Sequence, residues 1–296
     1  MIALNYSVFG RERKFVKKLK RSARLVEMTQ YLLARPHTLI SLTAFADRYQ
    51  SAKSSISEDL AIIKEVFEGE GIGDLHTLAG AAGGVRFIPR CDKEAALEKV
   101  KEMCRQLEQP DRLLPGGYLY MTDLLGQPAL LQEAGQMFAT AFADREIDAI
   151  MTVETKGIPL AYATSLYLNV PVVIVRRDHK VTEGSVVSIN YVSGSNKRIQ
   201  TMSLARRGLR EQSRVLIIDD FMKAGGTVQG MIDLLHEFRA VVAGVGVFVE
   251  SGEVDNEERL LHDYVSLARL TEVDLKTRHI TVQPGNFFKE TKEEQQ

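Results

Sequence analysis

Two adjacent carboxylates stand beside a glycine-rich loop in the second half of the chain. Residues 215–227 read as four apolar residues, the acids Asp219 and Asp220, Phe-Met, and a loop that ends in Gly-Gly-Thr. Glycines let backbone N–H groups converge on an anion, and a following helix adds donors and a favourable dipole. Carboxylates beside a phosphate are unfavourable unless the ligand has hydroxyls to donate to them. The pattern therefore predicts a sugar phosphate, with its 5′-phosphate on the loop from Lys223 to Thr227 and its 2′- and 3′-hydroxyls on the two acids.

The elements that must hold this loop alternate between apolar runs and amphipathic segments. Buried strands are predicted at residues 147–153, 170–175, 215–218 and 241–249, and helices at residues 91–109, 160–168 and 228–239. Such alternation is typical of an α/β domain with a mainly parallel sheet flanked by helices. Ligands of such sheets bind at the carboxyl ends of the strands, where Asp219 and Asp220 are expected.

Residues 215–227 resemble the motif with which type I phosphoribosyltransferases bind phosphoribosyl pyrophosphate (PRPP). A chance strand–loop–helix turn is the alternative, and the length of the motif argues against it. The resemblance implies a second loop after Val153, where Lys156 and backbone N–H groups face the diphosphate with Mg²⁺ as its counter-ion, and no metal site made by protein side chains alone. The residues predicted to bind PRPP are Thr155, Lys156, Gly157, Asp219, Asp220, Phe221, Met222, Lys223, Ala224, Gly225, Gly226 and Thr227.

A basic stretch, residues 176–207, lies between these two loops. It contains Arg176, Arg177, Lys180, Lys197, Arg198, Arg206 and Arg207. The stretch corresponds in order to the mobile hood loop of the phosphoribosyltransferases, which in an enzyme closes over the transition state. In a binding protein the same charges hold an anion or line a DNA-facing surface, so both roles stay open.

The first 90 residues differ in charge from the rest of the chain. They carry 14 Lys and Arg against 9 Asp and Glu, a net of +5, whereas the remainder carries 24 against 30, a net of −6. The asymmetry indicates a polyanion as partner of the first unit. Solvated surface explains the charge equally well, and the basic run at residues 11–24 is also typical of a disordered tail.

The first unit also has the element order of a DNA reader. A helix is predicted from Ser22, as its N-cap, to the residue before Pro36, with an apolar face that includes Val26 and Leu33. Further helices are predicted at residues 42–49 and 51–67, and strands at residues 75–78 and 85–88 flank a glycine-rich turn. Three helices and a hairpin form a winged helix, whose third helix enters the major groove. A winged-helix dimerisation module is the alternative.

The third predicted helix opens with small and hydroxyl-bearing residues. These let a helix end approach DNA closely and contact phosphates, although serines that cap the helix for folding alone are a competing interpretation. The residues predicted to contact DNA are Arg21, Arg24, Ser51, Lys53, Ser54, Ser55, Ser57, Arg86 and Arg198.

Length and composition agree with two domains of ordinary type. The chain has 296 residues, 45% hydrophobic and 26% charged. Its longest apolar run, residues 241–249, is about half of what a membrane span needs. No secretory segment follows the start, and Cys91 and Cys104 lack metal-ligand spacing, which predicts reduced thiols and a cytoplasmic location.

Residues 20–288 as a whole resemble the purine operon repressors of Gram-positive bacteria. The resemblance is carried by residues 49–60, 80–89, 114–120, 155–162, 181–203 and 215–227. It implies a winged-helix domain at residues 20–90 and a phosphoribosyltransferase-like domain at residues 91–296, and residues 1–19 fall outside it. It also implies a homodimer in which the partner subunit contributes a tyrosine, Tyr118 in this sequence, to the PRPP site.

The function implied by this resemblance is repression of genes for purine biosynthesis and transport. Double-stranded DNA of their control regions is the partner and PRPP the inducer, without transfer chemistry; whether guanine nucleotides compete for the pocket stays open. Lys223 and Ala224 stand where many active transferases have two hydroxyl residues, and the chain after Val249 has no obvious motif for a purine base. The alternative is an active purine phosphoribosyltransferase with an autoregulatory DNA-binding domain. An adaptor protein would leave the PRPP motif unused.

Overall fold

The computed structural model describes residues 19–80, 83–115, 117–178, 184–192, 199–252 and 259–289. It divides the chain into two compact units, with the boundary between Ile88 and Pro89. Three basic residues of the predicted hood stretch, Lys180, Lys197 and Arg198, lie outside the described residues. Within the described ranges, no helix is long and apolar enough to cross a membrane.

The first unit consists of three helices followed by a hairpin. Its elements are α1 (Arg21–Leu33), α2 (Leu42–Tyr49), α3 (Lys53–Gly69), β1 (Gly73–Leu78) and β2 (Gly84–Pro89). The side chain of Ser41 accepts a hydrogen bond from the Ala44 N–H and so begins α2. An isolated antiparallel bridge between Ile40 and Val85 ties the second strand to the segment before α2. The winged-helix order predicted from the sequence is confirmed.

The core of the first unit lies where the helices and the hairpin meet. Its buried side chains include Met28, Leu32, Phe45, Tyr49, Ile56, Leu60, Ile63, Phe67, Leu75, Val85 and Phe87. Two predictions for α1 are wrong. Val26 and Leu33 are 70% and 44% exposed, because α1 buries a narrow stripe with one residue in each turn. Ser22 is not the N-cap, because α1 already begins at Arg21 and its N-cap is Lys20.

The second unit is a central sheet with helices on both faces. Its helices are α4 (Lys93–Leu107), α5 (Pro128–Ala141), α6 (Gly157–Leu168) and α7 (Gly226–Glu237). Its strands are β3 (Leu113–Leu114), β4 (Tyr118–Leu119), β5 (Ala149–Val153), β6 (Val172–Val175), β7 (Val186–Val192), β8 (Ile199–Ala205), β9 (Arg214–Met222), β10 (Val241–Ser251), β11 (Val265–Asp274) and β12 (His279–Pro284). One apolar cluster packs α4, α5 and α6 on one face, and a second packs α7 and the β7–β8 hairpin on the other.

The central sheet has the strand order β12-β11-β10-β9-β5-β6. Strands β11, β10, β9, β5 and β6 run parallel to their neighbours, and β12 is antiparallel to β11, so the predicted mainly parallel sheet is confirmed. From β5 the chain continues to β6 on one side, and from β9 it continues to β10 on the other. Divergence of this kind leaves a crevice at the carboxyl ends of the two strands, where ligands bind.

Two parts of the second unit differ from their prediction in a way that affects the site. Strand β9 does not end at Ile218, because its pairing with β10 continues from Asp219 opposite Val247 to Met222 opposite Glu250. Residues 176–207, expected as a loop, contain the antiparallel β7–β8 hairpin. Tyr191 and Met202 of this hairpin are buried against α7, so part of the stretch belongs to the hydrophobic core of the second unit.

Candidate functional site

A cavity of about 700 Å³ lies at the carboxyl edge of the sheet, between the ends of β5 and β9. It brings the two loops singled out in the sequence to one place. Every residue predicted to bind PRPP lines this cavity except Gly157, which begins α6 directly after Lys156.

The carboxylates of Asp219 and Asp220 form the floor of the cavity. Asp219 is 3% exposed, and its Oδ1 accepts a hydrogen bond from the Asp220 N–H at 3.1 Å. Burial, and then repulsion by Asp220, raise the pKa of Asp219. Burial also raises the pKa of Asp220, against the opposing charges of Lys156 and Arg177. Without a ligand the pair therefore holds a proton more tightly than ordinary carboxyls do, and groups that donate to it favour its ionised form.

The loop after β9 has the geometry of an anion site. Gly225 has a φ of +90°, a conformation that residues with a Cβ rarely adopt, and it is the N-cap residue of α7. No side chain caps the helix there, so the N–H groups of its first turn are directed at the cavity edge without a side-chain acceptor. Lys223 is exposed beside them. Together these groups supply N–H donors and a positive charge for one phosphate.

The loop after β5 is held in place by a carboxylate. Glu154 Oε2 accepts from Arg176 Nη1 at 3.1 Å, and its Oε1 accepts from the Arg177 N–H at 2.8 Å. Burial raises the pKa of Glu154, but these bonds outweigh that effect and hold it below the ordinary value. The carboxylate is therefore ionised and engaged. The peptide bond between Glu154 and Thr155 is cis.

Close packing at the start of α6 explains the glycine in this loop. A Cβ on Gly157 would lie 2.2 Å from the buried Thr152 Oγ1, so a larger residue cannot occupy the position without displacing Thr152. Gly157 thus shapes the loop from below, and the exposed Thr155 and Lys156 line the cavity.

A short hairpin, β3–β4, forms the wall opposite the two loops. Leu114, Tyr118 and Leu119 of this hairpin line the cavity of their own chain. A single chain does not test the expectation that Tyr118 also reaches the site of the partner subunit, so that expectation stays a prediction. Arg112 fixes the base of the hairpin through bonds of 2.7 and 2.8 Å to the carboxylate of Asp123.

Several lining residues were not singled out from the sequence. Arg177 was predicted only as one charge of the basic stretch, and Glu154 was not predicted to have a role of its own. The others are Leu114, Pro115, Gly117, Leu119, Met121, Val153, Val228, Ser251 and Leu270. Their positions depend on where distant strands end, which local motifs do not reveal.

The predicted DNA-contacting residues divide into exposed and engaged groups. Lys53, Ser54 and Ser57 are exposed at the start of α3, and Ser55 is half-buried. The N-cap of this helix is Ala52, and no side chain caps it, so the serines do not serve as caps. The first turn of α3 therefore offers uncapped N–H groups, hydroxyls and one lysine on the exposed side.

Arg24 and Ser51 are used inside the first unit. Arg24 is 7% exposed, and its Nε donates to Asp59 Oδ2 at 2.5 Å. Its Nη1 donates to Ser51 Oγ, which in turn donates to the Tyr49 carbonyl. Arg21 also binds Asp59, through Nε at 3.0 Å, but its side chain is 55% exposed. Arg24 thus pairs with a fully buried carboxylate, and we assign it to packing rather than to DNA.

The hairpin contributes one further predicted residue. Arg86 lies on β2, half-buried, and its Nε has no hydrogen-bond partner among the described residues. Arg198, the last residue of the predicted set, lies outside the described residues.

Comparison with known proteins places both units. Residues 20–89 match the family profile "Bacterial purine repressor, N-terminal", and residues 121–285 match "Phosphoribosyl transferase domain". The chain is 61% identical over 272 residues to the purine biosynthesis transcriptional repressor PurR of Bacillus subtilis, covering 92% of this chain and 95% of that one. The chain belongs to the bacterial purine repressor family. It is a DNA-binding regulator of purine biosynthesis genes, as the resemblance to the purine operon repressors implied.

Members of this family differ in the direction of regulation. The purine biosynthesis transcriptional activator PurR of Lactococcus lactis is 46% identical over 270 residues, 91% of this chain and 99% of that protein. The second unit is also similar to enzymes. Xanthine phosphoribosyltransferase of Levilactobacillus brevis is 37% identical over 149 residues, 49% of this chain and 78% of the enzyme. The crystal structure of an adenine phosphoribosyltransferase from Thermoanaerobacter pseudethanolicus superposes with a TM-score of 0.51 at 25% identity, over 58% of this chain and 99% of that one.

Proposed function

We propose that this purine regulator senses PRPP in the cavity between β5 and β9, and that it binds the ligand without transferring the ribose phosphate. One observation carries the proposal: a glycine-rich loop at a helix N-terminus and two adjacent carboxylates, the buried Asp219 and the half-buried Asp220, line the same cavity. A phosphate alone would be repelled by the carboxylates, and a neutral sugar would leave the loop unused. A phosphorylated ribose satisfies both.

Each part of PRPP has a counterpart in the cavity. Its 5′-phosphate takes N–H donors from residues 223–227 and the start of α7. Its 2′- and 3′-hydroxyls donate to Asp219 and Asp220, which offsets the repulsion between these carboxylates. Its diphosphate is placed against Thr155 and Lys156, with Arg177 beside them. This arrangement uses the basic groups of the cavity on the phosphates and the acidic groups on the hydroxyls.

The donor set also fits Mg²⁺ as part of the ligand. Magnesium sites of this kind use one or two carboxylates and complete the shell with phosphate oxygens and water. Both oxygens of Glu154 are engaged by Arg176 and Arg177, so Asp219 and Asp220 are the carboxylates of the cavity that would hold the ion, through lone pairs that the ribose hydroxyls do not use. When bound, the ion supplies charge neutralisation for the diphosphate.

The absence of transfer is part of the proposal. It is supported by relatives that match more than nine-tenths of the chain and are named regulators rather than transferases. It is also supported by the loop itself, where Lys223 and Ala224 take the place of two hydroxyl residues. An active transferase must bind a purine base and release pyrophosphate, so incubation with PRPP and each purine base, followed by a pyrophosphate assay, tests this point directly.

DNA is read by the first turn of α3 together with the hairpin. The exposed Lys53, Ser54 and Ser57 and the uncapped N–H groups suit phosphate contact at the edge of the major groove. Arg21 and Arg86 extend this surface. We further propose a homodimer, since paired readers match two half-sites, and PRPP as the signal that releases DNA.

The deciding experiment titrates PRPP into a complex of the full chain with purine-gene control DNA, followed by fluorescence anisotropy. Release of DNA is expected with PRPP and Mg²⁺, but not with equal concentrations of ribose or pyrophosphate alone. A complex that keeps its DNA at saturating PRPP contradicts the inducer role. A reporter gene in cells shows whether release lowers or raises transcription, which matters because a relative is named an activator. Competition of bound PRPP by guanine nucleotides is measured in the same assay.

A further inference from the structure

A buried ion pair lies next to the phosphate loop but outside the cavity. Arg259 is 7% exposed, and its Nη1 donates to Glu250 Oε2 at 3.0 Å and to the Tyr264 hydroxyl at 2.6 Å. Its Nη2 donates to the Ser251 carbonyl at 2.6 Å. Glu250 is 4% exposed, and its other oxygen accepts from Ser266 Oγ at 2.7 Å. This network lies at the carboxyl end of β10.

The residues that follow Arg259 contact the phosphate loop directly. The Leu260 N–H donates to the Ala224 carbonyl at 2.9 Å. A Cβ at Gly225 would lie 3.4 Å from the Leu261 Cβ, so Leu261 packs against this glycine. The segment from Arg259 to Leu261 is therefore fixed to β10 at one end and to the loop at the other.

We propose that Arg259 and Glu250 are positioning residues for the phosphate loop. They set the position of Leu260 and Leu261, and these two hold Ala224 and Gly225 in the conformation that presents N–H groups to a phosphate. The left-handed φ of Gly225 is kept by this contact as well as by the helix it begins. Neither Arg259 nor Glu250 lines the cavity. The inference rests on the proposed function, since it assigns the 5′-phosphate to this loop.

A buried ion pair does not by itself indicate function, because its desolvation penalty can exceed its attraction. What distinguishes this pair is that it supports only one of the two loops of the cavity. The hydrogen bonds of Arg259 hold the segment that supports the loop after β9, and their acceptors all lie outside the loop after β5 at residues 154–157. Removal of the pair should weaken phosphate binding at the loop after β9 and leave diphosphate binding at the loop after β5 unchanged. A general decrease in stability would weaken binding at both loops.

The test uses the full chain and two fragments of the ligand, ribose 5-phosphate and pyrophosphate, in calorimetric titrations with Mg²⁺. Arg259→Gln leaves Glu250 buried without its cation and endangers folding, so Glu250→Gln with Arg259→Gln is the second variant, because it buries no unpaired charge. The expected result is an affinity for ribose 5-phosphate about tenfold weaker, with pyrophosphate affinity within about twofold of wild type.

The control variant is Arg214→Gln, which removes an ion pair with Asp148. This pair lies at the amino ends of β9 and β5, and the cavity lies at their carboxyl ends. The control variant should change neither affinity. Equal weakening of both fragments in the double variant, or no change in either, overturns the positioning role. A wild-type chain that binds neither fragment nor PRPP overturns the proposed function, and this inference with it. Wild-type binding with an unaffected double variant overturns the inference alone.

Discussion

The ionised carboxylates of Asp219 and Asp220 lower the stability of the free chain but stabilise the proposed PRPP complex. In the free chain, burial and the neighbouring Asp220 raise the pKa of Asp219 to about 8, so ionisation of the pair opposes folding. In the complex the ionised pair accepts ribose hydroxyls. Asp219→Asn with Asp220→Asn removes the charge and keeps an acceptor for the backbone N–H that now lies 3.1 Å from Asp219 Oδ1. Alanine at both positions removes the acceptors too.

The magnitudes follow from the hydrogen bonds involved. Bonds to charged groups contribute about 1.5–3 kcal/mol each and neutral ones about 1 kcal/mol. The double asparagine variant should therefore lose about 2 kcal/mol of PRPP binding free energy, about thirtyfold in affinity. The double alanine variant should lose about 3 kcal/mol or more, roughly a hundredfold or more. DNA affinity without PRPP should not change, because the substituted residues lie in the second unit.

The double asparagine variant, which binds PRPP more weakly, should be more stable than the wild type in the absence of ligand. The folded pKa lies above the unfolded value, so the wild-type chain takes up protons on folding and loses stability as the pH rises from about 4 towards about 8. The double asparagine variant lacks this pH-dependent decrease. Thermal unfolding at pH 6 and pH 8 should show a smaller pH effect in the variant, and titration calorimetry should show weaker PRPP binding in the same sample. The reasoning is refuted if the double alanine variant binds PRPP or releases DNA as the wild type does.

Three further predictions test other parts of the molecule. Lys53→Ala or Arg86→Ala should weaken DNA binding and reduce the slope of log affinity against log salt by about one unit for each phosphate that the protein no longer neutralises; unchanged slopes in both would move the DNA surface elsewhere. Arg24→Met should lower the free energy of unfolding by about 3 kcal/mol, because Asp59 is fully buried, and Arg21→Met by about 1 kcal/mol or less; equal decreases in denaturant melts would contradict our distinction. Gly157→Ala should weaken pyrophosphate binding through its clash with Thr152 Oγ1, and Thr152→Ala should restore it; a double variant as weak as the single one would count against the packing argument.

The elements with strong local patterns were predictable from the sequence. Helix α2 has the predicted bounds, and the back face of α3 is buried as its spacing indicates. The loop from Lys223 to Thr227 could be predicted as part of the cavity because its glycines and lysine follow two carboxylates. Together these residue types indicate a ligand with both phosphate and hydroxyl groups, which none of them indicates alone. Continuous Val and Ile runs likewise identified the strands that hold the two loops.

Two of the wrong predictions, for Arg24 and for the end of β9, have the same physical cause, because each depended on a long-range partner. Arg24 looked like one more charge in a basic run, but a carboxylate 35 residues away binds it. Strand β9 continues past Ile218 because β10 offers backbone partners up to Glu250. Tyr118 lines the cavity, as the resemblance implied for a residue of the PRPP site. The structure adds that Arg112 and Asp123 fix the base of its hairpin, a restraint that the local sequence does not show.

A site of transferase type is well suited to sensing, once catalysis is set aside. An enzyme gains rate from interactions that are stronger in the transition state than in the ground state, and equal binding of both adds nothing to turnover at saturation. A sensor needs the reverse, tight binding of the ground state. On the proposed function, the groups of this cavity bind parts that PRPP already has before any reaction: the 5′-phosphate at the N-terminus of α7, the hydroxyls at Asp219 and Asp220, and the diphosphate at Lys156. Without transfer chemistry, the free energy of these interactions serves only to favour one conformation of the protein over another. A ligand shifts such an equilibrium by its differential affinity for the two states. On the proposed function, the two states are the DNA-bound and DNA-free forms, so every decrease in PRPP affinity confined to the DNA-free form should appear, kilocalorie for kilocalorie, as weaker release of DNA.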